Sequence, residues 1–172
     1  VIGVDFMGFT GGSADQISKY KNDLAKNIAA TYDRGGIVTA AWHFSNPVSD
    51  GGFYWNDSVS VPAVGLIIPG GSAHSKYVEI LKDLGEWARD VKGSDGKQVP
   101  IIFRPYHEFD GGWFWWGKPH CTTEEFKSLW QFTVSYLRDS AGVHNFIYAF
   151  SPDIKFNTTE EYLERYPGDE WV

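Results

Sequence analysis

Short apolar runs alternate with longer helical ones along this 172-residue chain, and that alternation constrains the fold more than any other feature. Strands separated by single helices cannot be hairpin partners, so they lie parallel with right-handed crossovers between them. The opening Val1-Ile2-Gly3-Val4-Asp5-Phe6 reads as a strand. Ser13 and Gln16 stand at capping-box spacing, and Ile17, Tyr20, Leu24, Ile28 and Tyr32 recur at helical spacing until Gly35-Gly36 stops the run. The short run at 37–44 is apolar and β-branched at its start, as expected of a buried strand. Residues 46–71, rich in Gly, Ser, Pro and Asp, read as a long loop with an apolar stretch at 64–68. A second helix fits Tyr77, Ile80, Leu81, Leu84, Trp87, Ala88 and Val91. A strand at 99–107, an aromatic loop, a helix at 123–137 opened by Thr122 and Glu125, and a strand at 145–150 complete the pattern. A last helix is expected near 160–165, and residues 169–172 read as the opening of a further strand.

Two α/β architectures satisfy this order: a doubly wound open sheet, or part of an eight-stranded barrel. No strand is followed by the GxGxxG fingerprint and no GxxxxGK[ST] pattern occurs, which weakens the nucleotide-binding open sheets. The (β/α)8 TIM barrel is favoured. A whole barrel takes about 250 residues, so the chain is expected to supply about half to two-thirds of one, as a single domain.

A formal charge of -7 would repel a phosphate backbone, so nucleic acid is excluded as a partner. No run approaches the roughly 18 to 20 apolar residues needed to enter and span a membrane. Cys121 stands alone and builds neither a disulfide framework nor a thiolate cage. No signal peptide is recognisable at the start of the chain. Eight Trp exceed what packing suggests, and several cluster in glycine-rich loops, where a ligand surface would lie.

In a barrel the reactive groups sit at the C-terminal ends of strands and in the loops beyond. Those positions hold Asp5, His43, Arg104, His107, Glu108 and residues 151–153. The third strand is the informative one: it ends in Arg104-Pro105-Tyr106-His107-Glu108 and runs on to Gly112-Trp113-Phe114-Trp115-Trp116-Gly117. Strict alternation would place Arg104, Tyr106 and Glu108 on one face and His107 on the other, so both His107 and Glu108 serve one pocket only if the strand bulges or ends there. A carboxylic acid among Trp rings suits proton donation to a glycosidic oxygen, because desolvation favours its neutral form, while Arg104 pulls the other way. Flat rings suit pyranose faces, with Trp113, Trp115, Trp116 and Trp55 as candidates and Trp113 foremost.

These segments resemble the signature of glycoside hydrolase family 26, mainly endo-β-1,4-mannanases. Gly35-Gly36-Ile37-Val38-Thr39 leading to Trp42-His43, Tyr148-Ala149-Phe150-Ser151-Pro152 and Tyr166-Pro167-Gly168-Asp169 are similar to neighbouring segments of that family, so the resemblance spans essentially the whole chain. It implies a partial catalytic domain over residues 1–172, starting near the second barrel strand and ending at the sixth. It further implies a retaining double displacement, with Glu108 as acid/base closing the fourth strand and a nucleophilic Glu at the seventh, outside these residues. His43, Trp55, Arg104, His107 and Trp113 would then line the subsites near the scissile bond. The implied partner is β-mannan, no metal or cofactor is implied, and the polymeric substrate implies a secreted, periplasmic or cell-surface protein. Oligomeric state is not encoded in any motif. β-Glucan and β-1,3-xylan remain alternatives within the family, and carbohydrate binding without hydrolysis remains one outside it. A metal hydrolase is disfavoured, because His107-Glu108 lacks a second His at HExxH spacing.

Overall fold

Two capping boxes start the first and fourth helices where the sequence places them. Ser13 Oγ accepts from Gln16 N while Gln16 Oε1 accepts from Ser13 N, opening α1 (Ala14–Asp33). Thr122 and Glu125 form the same reciprocal pair before α4 (Thr123–Ser135), which widens into a π-helical turn over Tyr136–Ser140. Between them come α2 (Val64–Ile67) and α3 (His74–Asp90), and α5 (Thr159–Leu163) follows. Val64 and Ile67 bury their side chains, so the apolar stretch inside the long loop is a helical turn. The computed structural model describes residues 1–49, 51–56, 59–153 and 156–172.

Four parallel strands, β1 (Ile2–Asp5), β2 (Val38–Ala41), β3 (Ile101–Arg104) and β4 (Phe146–Tyr148), pair in chain order. An order without reversal is the winding of a barrel, whereas a doubly wound sheet reverses direction at its switch point. The sheet is thus an open arc of a (β/α)8 barrel. Paired residues share a face: Val38, Ile101 and Phe146 align, as do Ala40 and Phe103, and these side chains are buried with the helices. The opposite face carries Gly3, Thr39, Ile102 and Ile147 in one layer and Asp5, Ala41 and Arg104 in the next. Ile147 is 57% exposed there. Aromatic rings fill the buried layer, with Phe6 packed against Phe9, Trp87, Phe103 and Phe146.

All four strands are shorter than the sequence runs suggest, because the ladder stops before the extended chain does. The expected strand at 169–172 is instead a 3-10 turn, Asp169–Trp171. Gly168 sits at φ 109, a conformation open to glycine, and sends the chain onto α4. There Trp171 Nε1 donates to Ser135 Oγ (3.1 Å) and Trp171 O accepts from Trp130 Nε1 (3.0 Å).

Candidate active site

The third strand does not carry its alternation through to Glu108. It ends at Arg104, and the next residues turn, with Tyr106 at φ 49 and Glu108 at φ 55. Left-handed backbone is costly for residues with a Cβ and persists where the surroundings fix it. Two anchors are visible. Tyr106 leaves the cleft altogether, and its hydroxyl meets Tyr77 of α3 and Thr133 of α4 (3.0 Å to the latter) behind the sheet. Glu108 N donates to Ser151 O (2.8 Å), tying the turn to the chain beyond β4. Tyr106 therefore lies opposite to where alternation puts it, and His107 and Glu108 are both released toward the open end of the barrel arc.

Glu108 is half-buried, and its Oε2 accepts from Trp113 Nε1 at 3.0 Å. Trp113 is 36% exposed and packs over Gly111, where a Cβ would lie 2.2 Å from the indole. Trp115 and Trp116 are fully buried, their indole nitrogens donating to Phe44 O (2.6 Å) and His107 O (2.9 Å). They are packing residues, and of the cluster Trp113 alone offers a face to solvent. Trp55 N donates to Trp113 O (2.8 Å), which holds the two loops together, while the Trp55 ring stacks on His120 at 3.7 Å and 9°. Trp113 also borders a cleft of about 450 Å³ lined by Asp110, Lys118, Phe156, Asn157 and Glu161.

Arg104 makes no ion pair with Glu108 among the described residues. Its Nε and Nη2 both donate to Ser151 Oγ, at 3.0 and 2.6 Å. The rings of His43 and His107 meet edge to face at 4.7 Å, with Phe114 beside both. His107 is 4% exposed, and its Nδ1 has no hydrogen-bond partner among the described residues. Burial, then the neighbouring His43 and Arg104, push its pKa down to about 4, with Asp5 opposing weakly. His107 is therefore neutral at physiological pH. His43 Nδ1 is paired with Asp5 Oδ2. The structure thus brings His43, Arg104, His107, Glu108 and Trp113 to the C-terminal end of the strands, and Trp55 to the flank of Trp113. Sequence reasoning left two elements of this end unassigned. Asp5 was placed at a strand end without a role, and the ring wall of Phe53 and Phe114 around His43 was missed. The wall becomes legible only once the isolated bridge between Tyr54 and Phe114 pairs the two loops.

The arrangement offers one carboxyl group held by an indole, two imidazoles, a guanidinium and an exposed aromatic face: proton transfer at one point, hydrogen bonds to hydroxyls around it, and a flat apolar wall. Comparison with known proteins points the same way. The family model described as glycosyl hydrolase family 26 matches residues 1–172. The chain is 42% identical over 163 residues to a mannan endo-1,4-beta-mannosidase of Bifidobacterium adolescentis, covering 94% of this chain and 16% of that protein. Among solved structures it resembles GH26C from Muricauda sp., with TM-score 0.91 and 39% identity over 99% of this chain and 48% of that one. The Bacteroides ovatus GH26 beta-mannanase BoMan26A gives TM-score 0.86 and 35% identity, again over 99% of this chain and 48% of the other. The chain spans less than half the length of each of these three relatives.

Proposed function

Because the chain belongs to glycosyl hydrolase family 26, we propose that the protein it forms part of is a retaining endo-β-1,4-mannosidase acting on mannan-type hemicellulose. The observation that carries the reading is the hydrogen bond from Trp113 Nε1 to Glu108 Oε2, which fixes a carboxyl group beside an exposed aromatic face at the open end of the barrel strands. In the first step Glu108 protonates the departing glycosidic oxygen while a second carboxylate, supplied by sequence outside these residues, attacks the anomeric carbon. In the second step Glu108, now ionised, takes a proton from the water that releases the sugar. Retention requires the two carboxyl groups about 5 to 5.5 Å apart. Trp113 stacks on a sugar ring, and neutral His107, His43 and Arg104 hydrogen-bond hydroxyls near the scissile linkage, with Trp55 on the flank. A polymeric substrate is met outside the cytoplasm, which supports reading the protein as secreted, periplasmic or at the cell surface.

The test is reducing-sugar release from β-mannan, β-glucan and β-1,3-xylan by the full-length enzyme, with Glu108→Ala alongside. Loss of a general acid is expected to lower the mannan rate by about 10²–10⁴-fold. The loss should be much smaller on an aryl mannoside whose leaving group needs no proton, and added azide should partly restore turnover by attacking the glycosyl-enzyme. Unchanged hydrolysis in Glu108→Ala would remove that residue from catalysis.

A further inference from the structure

Asp5 is fixed more firmly than a strand-end carboxylate needs to be. Its Oδ1 accepts two backbone N–H groups, from Met7 (2.8 Å) and from His43 (3.1 Å). Its Oδ2 meets His43 Nδ1. Its main chain is locked as well: Asp5 pairs with Ala41 in the ladder, Phe6 N donates to Ala41 O (2.9 Å), and Tyr20 Oη donates to Asp5 O (2.9 Å). Tyr20 in turn covers Gly8, where a Cβ would meet the ring at 2.4 Å. Every oxygen of Asp5 thus has a donor, and the carboxylate holds both the backbone and the ring of a histidine two residues past the end of β2.

An anionic acceptor at Nδ1 requires that nitrogen to carry a proton, so the tautomer of His43 is set and Nε2 is left as the ring nitrogen for a ligand. The ring cannot swing away, because Phe53 (4.7 Å), His107 (4.7 Å) and Phe114 (5.4 Å) confine it. We propose that Asp5 is a positioning residue of this active site: it acts through His43, holding the imidazole with Nε2 toward the cleft as an acceptor for a substrate hydroxyl. The proposal rests on the glycosidase reading given above. The carboxylate does not touch substrate, and its effect is entirely on what His43 presents.

Asp5→Asn separates this role from a structural one. Asn Oδ1 still accepts the two backbone N–H groups, but its amide now donates to Nδ1, moving the ring proton to Nε2 and turning the presented acceptor into a donor. In the full-length enzyme, Asp5→Asn is expected to lower kcat/KM on mannan at least tenfold with little change in Tm. Selective ¹⁵N labelling of histidine should show Nδ1–H at His43 in the unsubstituted enzyme and Nε2–H in the variant. On a His43→Ala background the same substitution should have no further effect on kcat/KM. Nε2–H at His43 in the unsubstituted enzyme overturns the proposal whether or not the variant folds, as does an undiminished effect of Asp5→Asn on the His43→Ala background. Full activity in Asp5→Asn with activity lost in Glu108→Ala refutes the role of Asp5 alone. No release of reducing sugar from any of the three polysaccharides by the unsubstituted enzyme refutes the glycosidase reading beneath it.

Discussion

At the scale of single residues the cleft is defined by environments that the side chains could not choose for themselves. Glu108 occupies left-handed backbone, which costs a residue with a Cβ about 1–2 kcal/mol relative to right-handed conformations. Glu108→Gly is therefore expected to be more stable than Glu108→Ala, the reverse of the usual order, and differential scanning calorimetry of the pair checks it. His107 has a folded pKa near 4, below the 6.5 of a free imidazole, so the unfolded chain binds its proton first as pH falls. Its contribution to stability is whole above about pH 6.5 and is lost progressively toward pH 4, on the order of 3 kcal/mol in all. His107→Gln should flatten that slope in a series of Tm values against pH. Trp113→Ala removes a stacking face and the donor to Glu108, each worth on the order of 1–2 kcal/mol, so kcat/KM should fall about a hundredfold. Arg104, His107, Glu108 and Trp113 stood out in the sequence because four chemistries crowded one strand end. The turn that unites them did not, because Tyr106 and Glu108 adopt a conformation that neither residue type announces. Asp5 was legible as a strand-end position but its role was not, since its partner is 38 residues away and meets it only through the pairing of β1 with β2.

At the scale of elements, the helices were legible to within a few residues because capping boxes and 3.6-residue periodicity are local signals. Strand ends were not, because a ladder ends where its neighbour does. Residues 42–44 keep a buried, half-buried, buried alternation after β2 has stopped pairing. The closing 3-10 turn was missed for a related reason, since its apolar Trp171 is matched to α4 rather than to a strand. The buried hydroxyl trio of Tyr77, Tyr106 and Thr133 joins α3, the β3 turn and α4, and Thr133 Oγ1 also donates to Leu129 O (2.6 Å). Burial raises the pKa values of both phenols, so they remain neutral donors at physiological pH. Tyr106→Phe should cost about 1 kcal/mol, read as a lower urea midpoint. It should also reduce activity, because the turn that presents Glu108 loses its anchor.

At the scale of the whole molecule, one face of the sheet is packed under helices and the other is left as a half-open arc with Ile147 toward solvent. The C-terminal end of that arc gathers the acid/base side of the cleft, while the attacking carboxylate of the proposed reaction comes from elsewhere. Residues 1–172 expressed alone are accordingly expected to release no reducing sugar from β-mannan, and detectable turnover by that polypeptide would reassign the chemistry. The strictly sequential strand order carries a further consequence for how the protein is made. Each strand pairs with the one synthesised just before it, so no register waits for a distant partner. The alignment of Asp5, Ala41 and Arg104 is settled once β3 leaves the ribosome, and the turn bearing Glu108 needs only the segment through Ser151 to be held in place. The acid/base side of the cleft can thus take shape during translation.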